Sequence, residues 1–131
     1  MHLGFTNGAF DLLHEGHRHF FRECMLNCDN LIVALNTDES IRTAKGPERP
    51  IQNLSLRAGQ LLEILRPVDD LICAFDSEDD LRRLILRHSP SVYFQGEDHY
   101  GKHLPQAEGT RVHYVARHPR CSTTQEIERN A

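Results

Sequence analysis

The sequence predicts an α/β protein: a single, doubly wound parallel sheet of five strands with helices on both faces. Three observations carry that expectation. Short apolar runs alternate with stretches of helical periodicity along most of the 131 residues. The run Leu31-Ile32-Val33-Ala34-Leu35 is continuous where a half-exposed strand would alternate, the mark of a strand buried on both faces. Polar segments follow strands at Gly8–His17, after Gln95 and before Ser122. In an open parallel sheet such segments converge at the carboxyl edge, where ligands bind at the reversal of strand order.

Taken in order, Leu3 to Thr6 is the first strand, and a helical stripe at Phe20, Phe21, Cys24, Met25 and Cys28 marks the first helix, over residues 16–28. Leu31–Leu35 is the second strand. Asn36-Thr37-Asp38-Glu39 ends it and caps a short helix over Ser40–Thr43. The stretch Lys45-Gly46-Pro47-Glu48-Arg49-Pro50 is excluded from helix interiors and central strands by its prolines. Leu54, Ala58, Leu61, Leu62 and Leu65 share one face of a further helix that Pro67 ends. Val68 to Phe75 reads as the third strand. Ser77 with Asp80 resembles a capping box opening a helix with Leu81, Leu84 and Ile85 inward. Ser91 to Gln95 is the fourth strand, Gly96 to Gly109 a long polar loop, Arg111 to Ala116 the fifth strand, and a closing helix starts at Ser122. The expectation is one domain over residues 1–131, without internal repeats.

A net charge of −4 speaks against nucleic acid as a partner, although a local basic pocket is compatible with it. No apolar run approaches the ~20 residues that cross a bilayer, and the first strand begins too early for a signal peptide. The cysteines Cys24, Cys28, Cys73 and Cys121 form no secreted disulfide framework. The expected compartment is the cytoplasm, with no membrane partner.

The stretch that organises the rest is Asn7-Gly8-Ala9-Phe10-Asp11-Leu12-Leu13-His14-Glu15-Gly16-His17, between the first strand and the first helix. A loop that ends at a helix N-terminus offers unpaired N–H groups and the positive end of the helix dipole to an anion. His14 and His17 add two imidazoles, and the natural ligand is a phosphate chain. Two other readings stand beside it. One is local capping and packing of the histidines; the other is a metal site of His14, His17 and His19, although zinc wants more ligands in a recognisable spacing.

The segment Gly8-x-Phe10-Asp11-Leu12-Leu13-His14-x-Gly16-His17 resembles the HxGH motif of the cytidylyltransferase-like nucleotidylyltransferases. The likeness extends through Asn36-Thr37-Asp38-Glu39, Arg57, Arg66-x-Val68-Asp69, Gly96-Glu97-Asp98 and Ser122-Thr123-Thr124, with Arg117 five residues before Ser122, and so covers the whole chain. It implies a Rossmann-like sheet and transfer of a nucleoside monophosphate from a triphosphate to a phosphorylated acceptor, with release of pyrophosphate. His14, His17, Lys45 and Arg117 are then the catalytic set, and Asn7, Gly8, Ala9, Phe10, Gly16, Gly96, Asp98, Arg120, Ser122, Thr123 and Thr124 bind the nucleotide. Asp11 and Arg66 meet the acceptor, and Asp11 either orients a phosphate-bound Mg²⁺ or simply braces the loop. Arg57 either reaches the acceptor phosphate or, the preferred reading, is an ordinary surface charge on its helix. Ser122 with Gln125 also reads as a plain N-cap.

Two branches of the family compete. Glycerol-3-phosphate cytidylyltransferases share the length, the Asn36–Glu39 turn and the arginine before Ser-Thr-Thr, which makes CTP and a phosphorylated polyol the main expectation. The domain that adenylylates heptose 1-phosphate shares Lys45-Gly46, Arg49-Pro50 and Cys121-Ser122-Thr123-Thr124, which makes ATP and a sugar 1-phosphate the alternative. Gln95 stands where the heptose branch has lysine, Arg120 where both have glycine, and Ala9 where threonine or cysteine is commoner. A non-catalytic nucleotide-binding module is the reading from a different class. Relatives imply a homodimer.

Overall fold

The computed structural model describes residues 2–117. Strands β1 (Leu3–Gly8), β2 (Asn30–Asn36), β3 (Leu71–Phe75), β4 (Val92–Gly96) and β5 (Val112–Val115) alternate with helices α1 (Glu15–Leu26), α2 (Asp38–Lys45), α3 (Leu54–Leu62) and α4 (Glu78–His88). All strands are parallel, in the order β3-β2-β1-β4-β5. The order runs outward in both directions from β1, so the winding reverses between β1 and β4 and a crevice opens at their carboxyl ends.

Successive strand residues point to opposite faces, and both faces are covered. Leu31, Val33, Leu35, Val92 and Phe94 pack with Phe21 and Cys24 of α1 and Leu61 of α3. Phe5, Ile32, Ala34 and Tyr93 pack on the other face with Leu81 and Ile85 of α4. The uninterrupted apolar run in β2 is buried from Leu31 through Leu35, as a central strand requires.

Each of the four described α-helices starts on a side-chain acceptor: His14, Thr37, Asn53 and Ser77 each take a backbone N–H of the first turn. At α4 the expected box is rearranged. Ser77 Oγ accepts the Asp80 N–H at 3.2 Å, but the Asp80 carboxylate reaches back to the N–H of Asp76.

Several boundaries differ from expectation, β1 running on to Gly8 and α1 stopping at Leu26 among them, and three have a clear local reason. Helix α3 stops at Leu62, well before Pro67, because the Glu63 and Ile64 N–H groups turn to carbonyls three residues back. That tighter turn swings Leu65 into the core and leaves Leu62 63% exposed. Strand β3 begins at Leu71 because an Asp70 N–H to Arg66 carbonyl bond closes a turn, with Val68 fully outside it. Helix α2 is longer than the expected Ser40–Thr43, since Thr37 caps it earlier and it carries Lys45 in its last turn. The loop after β4 holds two 3-10 turns, Glu97–His99 and Pro105–Ala107, the second anchored by buried Ala107.

Cys24, Cys28 and Cys73 are free thiols, and burial pushes all three up from their ordinary pKa. No described helix is long and apolar enough to cross a membrane.

Candidate active site

The loop between β1 and α1 is held in a conformation that its residues would not choose. Phe10 and Leu12 have φ of 50° and 59°, the left-handed region that non-glycine residues avoid. The surroundings over-determine it. Arg57 Nη1 donates to the Ala9 carbonyl at 2.9 Å, and the Asp11 carboxylate accepts the N–H groups of Ile51 and Gln52 at 2.8 and 2.9 Å. The Leu12 N–H reaches Gln52 Oε1 at 3.1 Å. The Phe10 ring lies 4.7 Å from that of Phe21, centroid to centroid, and edge-on to His17. Glycine at position 8 makes room for that ring, since a Cβ there would meet it at 3.0 Å.

The two motif histidines act on each other and on the helix. His14 is the N-cap of α1: its Nδ1 accepts the Gly16 N–H at 3.0 Å. His17 closes the box from the third helical position, its Nδ1 accepting the His14 N–H at 3.2 Å. The rings stack with centroids 3.9 Å apart. Because both Nδ1 atoms are acceptors, each neutral imidazole carries its proton on Nε2. The capping reading and the anion reading are therefore one arrangement: the cap fixes the tautomer, and the tautomer makes both rings Nε2–H donors beside a helix N-terminus.

A cavity of about 420 Å³ lies over this loop, at the carboxyl ends of β1, β4 and β5. Asn7 to Asp11, His14, Gly16 and His17 form one wall; Gln95, Gly96, Asp98 and His99 a second; Val115, Ala116 and Arg117 a third. Lys45 and Arg49 close it from the connection after α2. The loops thus converge as the sequence suggests, and within a chain of net charge −4 they gather Lys45, Arg49 and Arg117 in one place. The walls are tied together: His19 Nε2 and the Ala116 carbonyl are 3.0 Å apart, and Arg117 Nε stands 3.7 Å from a Glu97 oxygen. A Cβ at Gly96 would come within 2.7 Å of Asp98 Oδ1, so glycine there permits the carboxylate its place.

Arg66 is not at this site. It sits at the opposite, amino end of the sheet, where its guanidinium donates to the Met25 and Cys28 carbonyls at the end of α1 and pairs with Asp70 at 3.0 Å. Asp70, whose hydrogen bond raises the Arg66 pKa, also accepts the Leu31 N–H at the start of β2. The acceptor role expected of Arg66 is withdrawn, because its donors satisfy helix carbonyls. Arg57 is no surface charge either. It is fully buried and spends its donors on the Gln52 carbonyl, the Ala9 carbonyl and Asp38, the last at 2.6 Å. Asp11 borders the cavity with each of its oxygens accepting a backbone N–H of the next loop, so it braces that loop, one of the two roles the sequence leaves open for it. Among the described residues no group of three or more His, Cys, Asp or Glu side chains is arranged to hold a metal, His14, His17 and His19 included. Arg120, Ser122, Thr123 and Thr124, with the helix expected after them, lie outside the described residues.

His99 lines the cavity without any role in the sequence reading; Arg49, noted there only as part of the family resemblance, and His19, considered only as a metal ligand, line it as well.

The chain belongs to the cytidylyltransferase-like family, whose profile matches residues 5–127. Bifunctional protein HldE of Rhodopseudomonas palustris strain HaA2 is 40% identical over 98% of this chain, and that of Acidiphilium cryptum is 37% identical over 97%. The chain spans about a quarter of the length of these relatives, 27% and 26% respectively. Among solved structures, the lipopolysaccharide core biosynthesis protein of Thermoplasma volcanium is 25% identical, covers 90% of this chain and 97% of its own, and superposes with a TM-score of 0.68. The bifunctional NMN adenylyltransferase/ADP ribose pyrophosphatase of Francisella tularensis, 14% identical, shares the fold over 98% of this chain and 41% of its own at a TM-score of 0.70.

Proposed function

We propose that this chain is an adenylyltransferase that moves AMP from ATP to a phosphorylated sugar, a sugar 1-phosphate of the heptose kind, and releases pyrophosphate. The HldE relatives favour this branch over CTP and glycerol 3-phosphate, the main expectation from the motifs. The observation that carries the phosphate chemistry is the His14–His17 pair: both Nδ1 atoms are engaged in the helix cap, which puts the proton of each neutral ring on Nε2, beside the N-terminus of α1.

In the reaction an oxygen of the acceptor phosphate attacks the α-phosphorus in line. The bond from that phosphorus to the oxygen bridging it to the β-phosphorus breaks, and pyrophosphate leaves with the bonding electron pair. No covalent enzyme intermediate is required, so the protein's work is to position the two substrates and stabilise charge. His14 and His17 donate to the α-phosphoryl oxygens and the leaving group. Lys45, Arg49 and Arg117 neutralise the triphosphate from the other walls. A divalent cation, usual in the family, neutralises phosphate charge when bound; none of the described side chains builds a cage for it, and no step here depends on it.

The test is pyrophosphate release from two pairs, ATP with a sugar 1-phosphate and CTP with glycerol 3-phosphate. The first pair is expected to turn over faster, and His14→Ala or His17→Ala to lower kcat by ~10²–10³. Faster release from the CTP pair restores the polyol reading. Nucleotide binding without release from either pair makes the chain a binding module.

A further inference from the structure

Beneath the cavity lies a polar knot of which only Asn7 has been given a role above. Tyr93 is fully buried on β4, two residues before Gln95, and so points to the same face of the sheet. Its hydroxyl donates to Asn7 Oδ1 and accepts from Gln95 Nε2 at 2.7 Å and from Gln106 Nε2 at 3.1 Å. A phenol hydroxyl has one proton and two lone pairs, so its capacity is filled. Each amide is thereby given a direction. Asn7 turns its oxygen to Tyr93 and keeps Nδ2 as a donor; Gln95 turns its nitrogen to Tyr93 and keeps Oε1 as an acceptor. Neither remaining atom has a hydrogen-bond partner among the described residues, and both residues line the cavity.

We propose that Tyr93 is a positioning residue which sets Asn7 and Gln95 as an oriented, uncharged donor–acceptor pair on the cavity floor, and that this pair selects a hydroxyl-bearing carbon skeleton over an anionic one. The proposal rests on the reading that a nucleoside triphosphate and a phosphorylated acceptor share this cavity. Hydroxyls both donate and accept, and so match Gln95 Oε1 and Asn7 Nδ2 together. A carboxylate or second phosphate would meet the Gln95 oxygen lone pair to lone pair, while among the described residues the cavity's cations, Lys45, Arg49 and Arg117, belong to the phosphate-binding walls. Burial pushes the Tyr93 phenol up from its ordinary pKa, so the floor stays neutral through the physiological range. Gln106 belongs to the Pro105–Ala107 turn and joins the same hydroxyl, so the long loop after β4 is fastened to the floor through Tyr93. The skeleton recognised belongs either to the ribose of the nucleotide or to the acceptor; the chemistry is shared, and the experiment separates the two.

The experiment is equilibrium binding by calorimetry with two probe pairs: ATP against 2′,3′-dideoxy-ATP, and glycerol 3-phosphate against 3-phosphoglycerate, in which a carboxylate replaces the hydroxymethyl group. The native chain is expected to prefer the hydroxylated member of one pair by about tenfold, roughly the value of one well-placed hydrogen bond. The pair that discriminates identifies the ribose or the acceptor as the source. Tyr93→Phe is expected to bring that preference below about threefold while the phosphate contribution, read as the affinity for pyrophosphate, stays unchanged. Gln95→Lys is expected to shift the acceptor pair toward 3-phosphoglycerate. No preference in either pair, or a preference that Tyr93→Phe leaves intact, overturns the proposal. If Tyr93→Phe does not fold, Gln95→Leu, which removes the acceptor itself while Tyr93 keeps its bond to Asn7, is expected to bring the same preference below about threefold, and a preference it leaves intact overturns the proposal as well. Binding is read here without turnover, so an absence of pyrophosphate release would count against the enzymatic reading and leave this one to be decided by the preferences.

Discussion

The sheet carries an arginine–aspartate pair at each end, and the two pairs are built in opposite senses. At the carboxyl edge, Arg57 is the buried partner: its side chain is 0% exposed while that of Asp38 is 34% exposed. At the amino edge, the aspartate is buried: Asp70 is 0% exposed and Arg66 31%. The buried member determines what each pair does. A buried guanidinium has five donors to place, and Arg57 places them on the backbone of two loops and on α2, so it organises the chain around the cavity. A buried carboxylate has only acceptors, and Asp70 collects the N–H groups of Leu31 and Arg66, so it closes a turn under the start of β2. Both arginines share motif segments with a nucleotidylyltransferase family, yet the cavity is served directly by Lys45, Arg49 and Arg117.

The comparison breaks first at Arg57. Arg57→Leu leaves the Ala9 and Gln52 carbonyls without their donor and Asp38 without its partner, an expected loss of about 3–5 kcal/mol in denaturant unfolding. The left-handed loop at Phe10 and Leu12 loses one of its constraints as well, so nucleotide affinity falls even in conditions where the variant is folded. A variant that unfolds earlier but binds nucleotide normally would show that the loop is held without Arg57.

Arg66→Ala sharpens the other side. It exposes the α1 carbonyls and leaves Asp70 with its backbone donors only, an expected cost of about 2 kcal/mol, since Arg66 is partly exposed and its pair is screened. Turnover per folded molecule is expected within twofold of the native chain, roughly the limit of experimental comparison for a residue remote from the reaction. A large change in the acceptor's KM would return Arg66 to the site.

What was legible in the sequence follows from how local each signal is. The continuous apolar run of β2, the cap at Ser77 and the HxGH segment between a strand and a helix are all written in neighbouring residues, and each appears where expected. The roles of the charged residues are set by partners 19 to 48 positions away, as in Arg57 with Asp38 and Ala9, and no periodicity reports those. Asp11 shows the same limit: its spacing suits a ligand, but the N–H groups that occupy it come from Ile51 and Gln52 in another loop. Leu62 and Leu65 were placed on one helical face, and the tight turn after Leu62 separates them, one outward and one into the core.

The claim on which the rest depends is that the carboxyl-edge cavity, with its paired imidazoles, holds a nucleoside triphosphate. Thermal unfolding with ATP and magnesium, in the native chain, His17→Ala and Arg66→Ala, tests it most directly. A ligand of the folded state at a hundred times its Kd stabilises by about 2.7 kcal/mol, enough to move the midpoint clearly. The native chain and Arg66→Ala are expected to gain this shift and His17→Ala to lose most of it. A full shift in His17→Ala would place the nucleotide elsewhere and contradict the account.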